Sequence, residues 1–162
     1  MLVTVKGVLA GGVCVQRWTV LVVLVFLVLI VAMQFVPVET TNPPVERDIP
    51  TSPAVKAILR RACYDCHSYE TVWPWYSRVA PISWLLTRDV RDGQAELNFS
   101  TWDRYSPQQQ VKKLQESWKE VSEGEMPPWY YLPVHRDARL SAHDQTLLEA
   151  WARTPTAGTP RP

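Results

Sequence analysis

The stretch Cys63-Tyr64-Asp65-Cys66-His67 constrains this chain more than any other. It reads C-x-x-C-H. Two thiols with two residues between them can reach the two vinyl groups of one porphyrin. The histidine directly after the second cysteine is then carried beneath the iron, where an imidazole nitrogen can ligate it. The pattern points to one covalently attached haem c, with Cys63 and Cys66 as attachment residues and His67 as proximal ligand. Two other uses of such a motif fit the sequence less well. A thioredoxin-like dithiol calls for a βαβ context, which the chain lacks. A zinc site calls for a second ligand pair, and His135 and His143 miss the H-x₃₋₅-H spacing.

Residues 18–33 (WTVLVVLVFLVLIVAM) carry no charge and are almost wholly apolar, and Phe35 to Val38 continue the run after Gln34. A transmembrane anchor is expected over 18–38, since about twenty residues span ~30 Å of hydrocarbon. Lys6 and Arg17 precede it with no acid among residues 1–17, which assigns that end to the cytoplasm. The rest, from residue 39 on, then faces the periplasm of a bacterial inner membrane, the side on which haem is attached to C-x-x-C-H. A cleaved signal peptide is the competing reading. The apolar run is long for one, and QFVPVETTNPP offers no A-x-A site. Cys14 precedes the run and is no lipoprotein cysteine. A net charge of +1 gives no reason to expect a nucleic-acid partner.

Residues 39–51 are rich in proline, threonine and charge and lack periodicity, so they read as an extended tether. Beyond them the pattern predicts an all-α domain over 52–153, with four short helices and long loops. The first helix has Ser52 as N-cap, Pro53 at its first position and an apolar stripe of Val55, Ile58, Leu59 and Ala62. A second begins near Pro81 and is expected to end at Gly93 in a left-handed cap. The third opens with a Ser106/Gln109 capping box, carries Val111, Leu114, Trp118 and Val121, and stops at Gly124. The last starts at Ser141, with Asp144 as capping partner. Residues 154–162 are rich in proline and threonine and read as a disordered tail. So thin a core is expected to need a bound haem for firm folding.

The sixth iron ligand is open between three readings. Met126 sits in Gly124-Glu125-Met126-Pro127-Pro128, a proline-stiffened loop after a helix stop, where a thioether can be held over the iron. His135 would give a bis-imidazole haem. An open site would admit gases or peroxide. Thioether ligation raises the potential relative to two imidazoles. Trp73, Trp75 and Tyr76 follow the attachment site closely and are expected to pack on the porphyrin edge. No Ser/His/Asp, paired-carboxylate or phosphate-binding constellation is evident, so the expectation is an electron carrier and not an enzyme. Its redox partner proteins are not identifiable from sequence. The alternative is a haem-based sensor or a peroxidase-like haem enzyme with a labile sixth ligand.

CYDCHSYETVWPWYSRVAPISWLLTRDVRDGQAELNFSTW, followed by EGEMPPWYYLPVHRDARLSAHDQTLLEAW, resembles the bacterial haem-binding domain family of small c-type cytochromes. The likeness covers about residues 48–152 and rests on several motifs in order: C-x-x-C-H, T-x-W-P-W-Y-S, LNFS-W and G-x-MPP. It implies a cytochrome c-like, periplasmic monohaem domain behind an N-terminal membrane anchor, with Met126 as distal ligand by similarity to other small cytochromes c. Gln94 departs from the pattern, standing where the family often has a basic residue.

Overall fold

Residues 8–154 are described by a computed structural model. Lys6, the Cys14 thiol and the tail from residue 155 lie outside them. The described residues form six α-helices and no β-strand, the all-α class that the sequence pattern predicts with one helix more than expected. Helix α1 (Val8–Met33) contains the apolar window Gln16–Met33, of mean hydropathy 2.3, and none of that window is buried against the rest of the chain. It ends at Met33, before Val38, as Pro37 approaches and disfavours helix in the residue before it. Gln34 follows in a turn. Its side-chain amide donates to Ala80 O at 3.1 Å and its side-chain carbonyl accepts from Ala80 N at 3.0 Å.

Helix α2 (Pro53–Ala62) is capped by the Ser52 hydroxyl, which accepts from Val55 N, and it buries Val55, Ile58 and Leu59. It breaks at Cys63 and resumes as the one-turn helix α3 (Tyr64–His67), which the sequence did not reveal as separate. Helix α4 (Ile82–Glu96) runs three residues beyond Gly93. The expected left-handed cap there is therefore corrected: Gly93 is helical. Its lack of a side chain serves a tertiary contact, because a Cβ on it would stand 2.6 Å from the Cys66 carbonyl oxygen. Helix α5 (Pro107–Glu123) has the full Ser106/Gln109 capping box and stops at Gly124, whose φ of 80° is the left-handed conformation glycine adopts without penalty. Helix α6 (Ala142–Arg153) opens with the Ser141/Asp144 box.

Helix α6 packs against both α5 and α2, while α3 packs on α4. One apolar core joins them: Ile49, Val55, Ile58, Leu59, Tyr64, Phe99, Trp102, Leu114, Leu148, Trp151 and Ala152. Truncating a fully buried residue such as Leu114 to alanine would cost about 2–5 kcal/mol. Tyr64 stacks on Phe99 with ring centroids 5.3 Å apart.

The segment before α2 is extended, as expected of a tether, yet its second half is bound to the domain. Glu46 N and Arg47 N both donate to Ser100 O, Ile49 N donates to Phe99 O, and Trp102 N donates to Arg47 O, each at 3.0 Å. Ile49 is buried in the core, and Glu46 pairs with Arg104. The tract 98–102 (NFSTW) is thus a hub, buried throughout. It ties the incoming segment to the haem motif, since Phe99 N donates to His67 O at 2.8 Å.

Candidate functional site

The α2–α3 junction fixes the motif geometry. Cys63 N donates to Leu59 O, closing α2, and His67 N donates to Cys63 O at 2.9 Å, closing the single turn of α3. That turn places the cysteines three residues apart on one side. The described residues leave both as free thiols. Burial, above all, pushes the Cys63 and Cys66 thiols up to about 12, with Cys66 adding to the shift at Cys63 and Asp65 and Asp89 adding at Cys66. Both are protonated at physiological pH. Reactive redox dithiols have depressed thiol pKa values, so this environment is the opposite of a thioredoxin-like one.

His67 is held entirely by main chain. Its Nδ1 lies 2.9 Å from Gly93 O and 3.1 Å from Leu97 O. Carbonyls only accept, so Nδ1 carries the proton and Nε2 keeps its lone pair, the arrangement typical of a metal-ligating histidine. Burial lowers the His67 pKa, partly opposed by the two carbonyls, which favours the neutral ring. The ring leans edge-on against Phe99.

Two cavities of about 560 and 620 Å³ flank this point and share Ala62, Cys63, His67, Glu96 and Met126 as common lining. Each lies within the range of small-ligand and cofactor sites. The larger one is walled by Cys66, Gly93, Trp75, Tyr76, Ile82, Leu85, Tyr130 and Val134 among others, and is strongly apolar. The smaller adds Leu97, Lys112, Lys113, Lys119, Leu148 and Trp151.

Met126 is placed by the α5 stop. Glu125 N and Met126 N both donate to Glu120 O, wrapping the chain past Gly124. The loop that follows is secured by side chains. Tyr130 OH donates to Asp89 at 3.2 Å and Tyr131 OH to Asp65 Oδ2 at 2.7 Å. The Tyr76 hydroxyl and His135 Nε2 are hydrogen-bonded at 2.9 Å. The His135 ring also stacks on Tyr131, centroids 3.9 Å apart, and His135 lines neither cavity. Trp75 and Tyr76 line the larger cavity, whereas Trp73 lies elsewhere, donating its indole N–H to Asn42.

Several residues of this site escaped the sequence reading. Asp65, between the cysteines, accepts from Val72 N and Tyr131 OH and so links the motif to both flanking loops. Gly93 and Leu97 act through their carbonyls. Glu96 lines both cavities. The available signal was the LNFS-W tract in the resemblance, which holds Leu97.

The family comparison agrees with this geometry. A model described as a haem-binding domain matches residues 28–154, and the chain belongs to that family. No curated protein and no solved structure matches it. The residues present fit a haem. The cavity walls are apolar around the cysteines and His67. Trp151 lines the smaller cavity, and its indole N–H is buried with no hydrogen-bond partner among the described residues, a donor left for a bound group. Among the described residues no cluster of three His, Cys, Asp or Glu side chains could hold a bare metal ion, which leaves a zinc reading without a donor set.

Proposed function

We propose that this chain is a membrane-anchored c-type cytochrome with one haem joined to Cys63 and Cys66, passing electrons between redox partners on the periplasmic face of a bacterial inner membrane. The observation that carries the reading is the His67 side chain, whose Nδ1–H is engaged by Gly93 O and Leu97 O while Nε2 stays free at the junction of two cavities. A haem bound there supplies one-electron chemistry at its iron. The chain's own residues do the rest. His67 provides a neutral nitrogen in a fixed orientation. Cys63 and Cys66 provide protonated thiols in an apolar wall. Met126 offers a thioether from the loop after α5. Tyr131, Tyr76 and Asp65 hold that loop. The α1 helix, apolar over Gln16–Met33, serves as an uncleaved anchor in this reading.

The test is expression of the full chain in a host competent for cytochrome c maturation. Haem staining after denaturing electrophoresis should be positive for the wild type and absent for the double variant Cys63→Ala, Cys66→Ala. The wild-type chain should cycle reversibly between ferric and ferrous forms and bind carbon monoxide slowly or not at all. A colourless wild-type protein would refute haem attachment. Rapid carbon monoxide binding would instead favour a sensor or peroxidase-like role.

A further inference from the structure

Four exposed apolar side chains line neither cavity and have no part in holding a haem. Phe35 and Val36 lie just past the end of α1, and Val79 and Trp84 lie either side of Ala80. Phe35 is 81% exposed. The Gln34–Ala80 contact joins these two sets. One amide both donates to and accepts from the backbone of one residue, at 3.1 and 3.0 Å, which fixes direction as well as distance. The Gln34–Ala80 contact therefore brings the exposed apolar residues just past α1 beside those at the start of α4. Trp84, Arg88 and Arg91 follow one another on one face of α4 at i, i+4 and i+7, and all three are exposed. Tryptophan suits the membrane interface and arginine the lipid phosphate. Asp92 shares both arginines and leaves the face mildly cationic. Ile82 and Leu85, on the same helix, line the larger cavity.

We propose that Val79 and the Trp84, Arg88 and Arg91 face of α4 rest on the outer leaflet of the phospholipid bilayer that α1 crosses, so that the haem domain is docked at the membrane and does not swing on its tether. The inference rests on the reading of α1 as an uncleaved anchor. Lipid is the occupant because the Gln34–Ala80 contact sets this face beside the end of the membrane-crossing helix. Docking turns the opposite face of α4, where Ile82 and Leu85 line the larger cavity, away from the membrane surface.

The test uses the full, haem-loaded chain in oriented bilayers of phosphatidylethanolamine and phosphatidylglycerol with no other protein. The ferric haem signal in electron paramagnetic resonance should change as the bilayer is tilted in the field. The double variant Gln34→Ala, Trp84→Gln should keep its haem content and membrane retention and lose that dependence on tilt. A membrane-bound, haem-loaded wild type with the same spectrum at every tilt overturns the docking inference alone. So does a dependence that persists in the double variant. Dependence that arises only after a membrane protein extract is added assigns the face to a protein and likewise overturns it. Recovery of the chain in the soluble fraction would sink the anchor reading, and with it this inference; failure to take up haem would sink the proposed function.

Discussion

The His67 and Met126 sides of the candidate site are built by different means. On the His67 side the ligand is fixed by main-chain atoms: two carbonyls on Nδ1, and the Phe99 amide on the His67 carbonyl. On the Met126 side main-chain bonds to Glu120 O turn the chain locally, but the loop beyond Pro128 is tied to other elements by side chains, namely Tyr130 to Asp89, Tyr131 to Asp65 and Tyr76 to His135. Main-chain bonds survive most substitutions. Side-chain ties are removed one at a time. The His67 side should therefore be constant and the Met126 side adjustable, which under the proposed function is where a potential can be tuned without disturbing haem attachment.

Under the proposed function the largest effect should come from removing the Met126 thioether. Met126→Ala should abolish the weak red-edge sulfur-to-iron absorption band of the ferric protein and lower the reduction potential, with haem still attached. Persistence of the band would assign the sixth ligand elsewhere and erase the comparison. Gly93→Ala tests the His67 side. In an ordinary helix interior this change stabilises by up to about 1 kcal/mol. Here the new Cβ meets a backbone oxygen at 2.6 Å, and overpacking of that kind costs about 1–3 kcal/mol. The expected sign is destabilisation, read from denaturant unfolding of the haem-loaded chain, together with a shift in the haem spectrum because Gly93 O also holds His67. Stabilisation would mean that the Cys66 backbone yields easily.

Tyr131→Phe removes a hydrogen bond to a carboxylate and should cost about 1–2 kcal/mol. It should speed carbon monoxide binding to the ferrous protein by loosening the Met126 loop, without touching His67. An unchanged rate would break the claim that side chains control the Met126 side. The smallest effect is expected at Asp144, which belongs to neither side. Its carboxyl is held at about 2, chiefly by the Ser141 hydroxyl and by Arg61. A depressed carboxyl pKa stabilises the folded form above the group's ordinary value near 4 and loses that effect as pH falls towards about 2. Asp144→Asn should lower stability by about 1 kcal/mol at neutral pH, converge with wild type as the pH falls through that window, and leave the haem spectrum unchanged.

What could be read from the sequence was whatever has a local cause. The caps at Ser52, Ser106 and Ser141 and the stop at Gly124 each depend on residues within one turn, and each forms as expected. Gly93 was misassigned because its reason lies 27 positions away, in the Cys66 carbonyl. The embrace of His67 by two carbonyls leaves no trace in side-chain identity. Asp65 and Tyr131 are 66 residues apart, and nothing in either neighbourhood announces the other. The binding of residues 46–49 to the NFSTW tract is likewise a backbone event, which a composition rich in proline and charge conceals.

That last feature sets the true start of the independent folding unit. A soluble fragment begun at the first predicted helix would forfeit the Ile49 plug and expose the carbonyls of Phe99 and Ser100, in the tract whose Phe99 amide holds the His67 carbonyl. The shortest excision that preserves the iron's support therefore opens upstream of Glu46, several residues earlier than helix boundaries alone would advise.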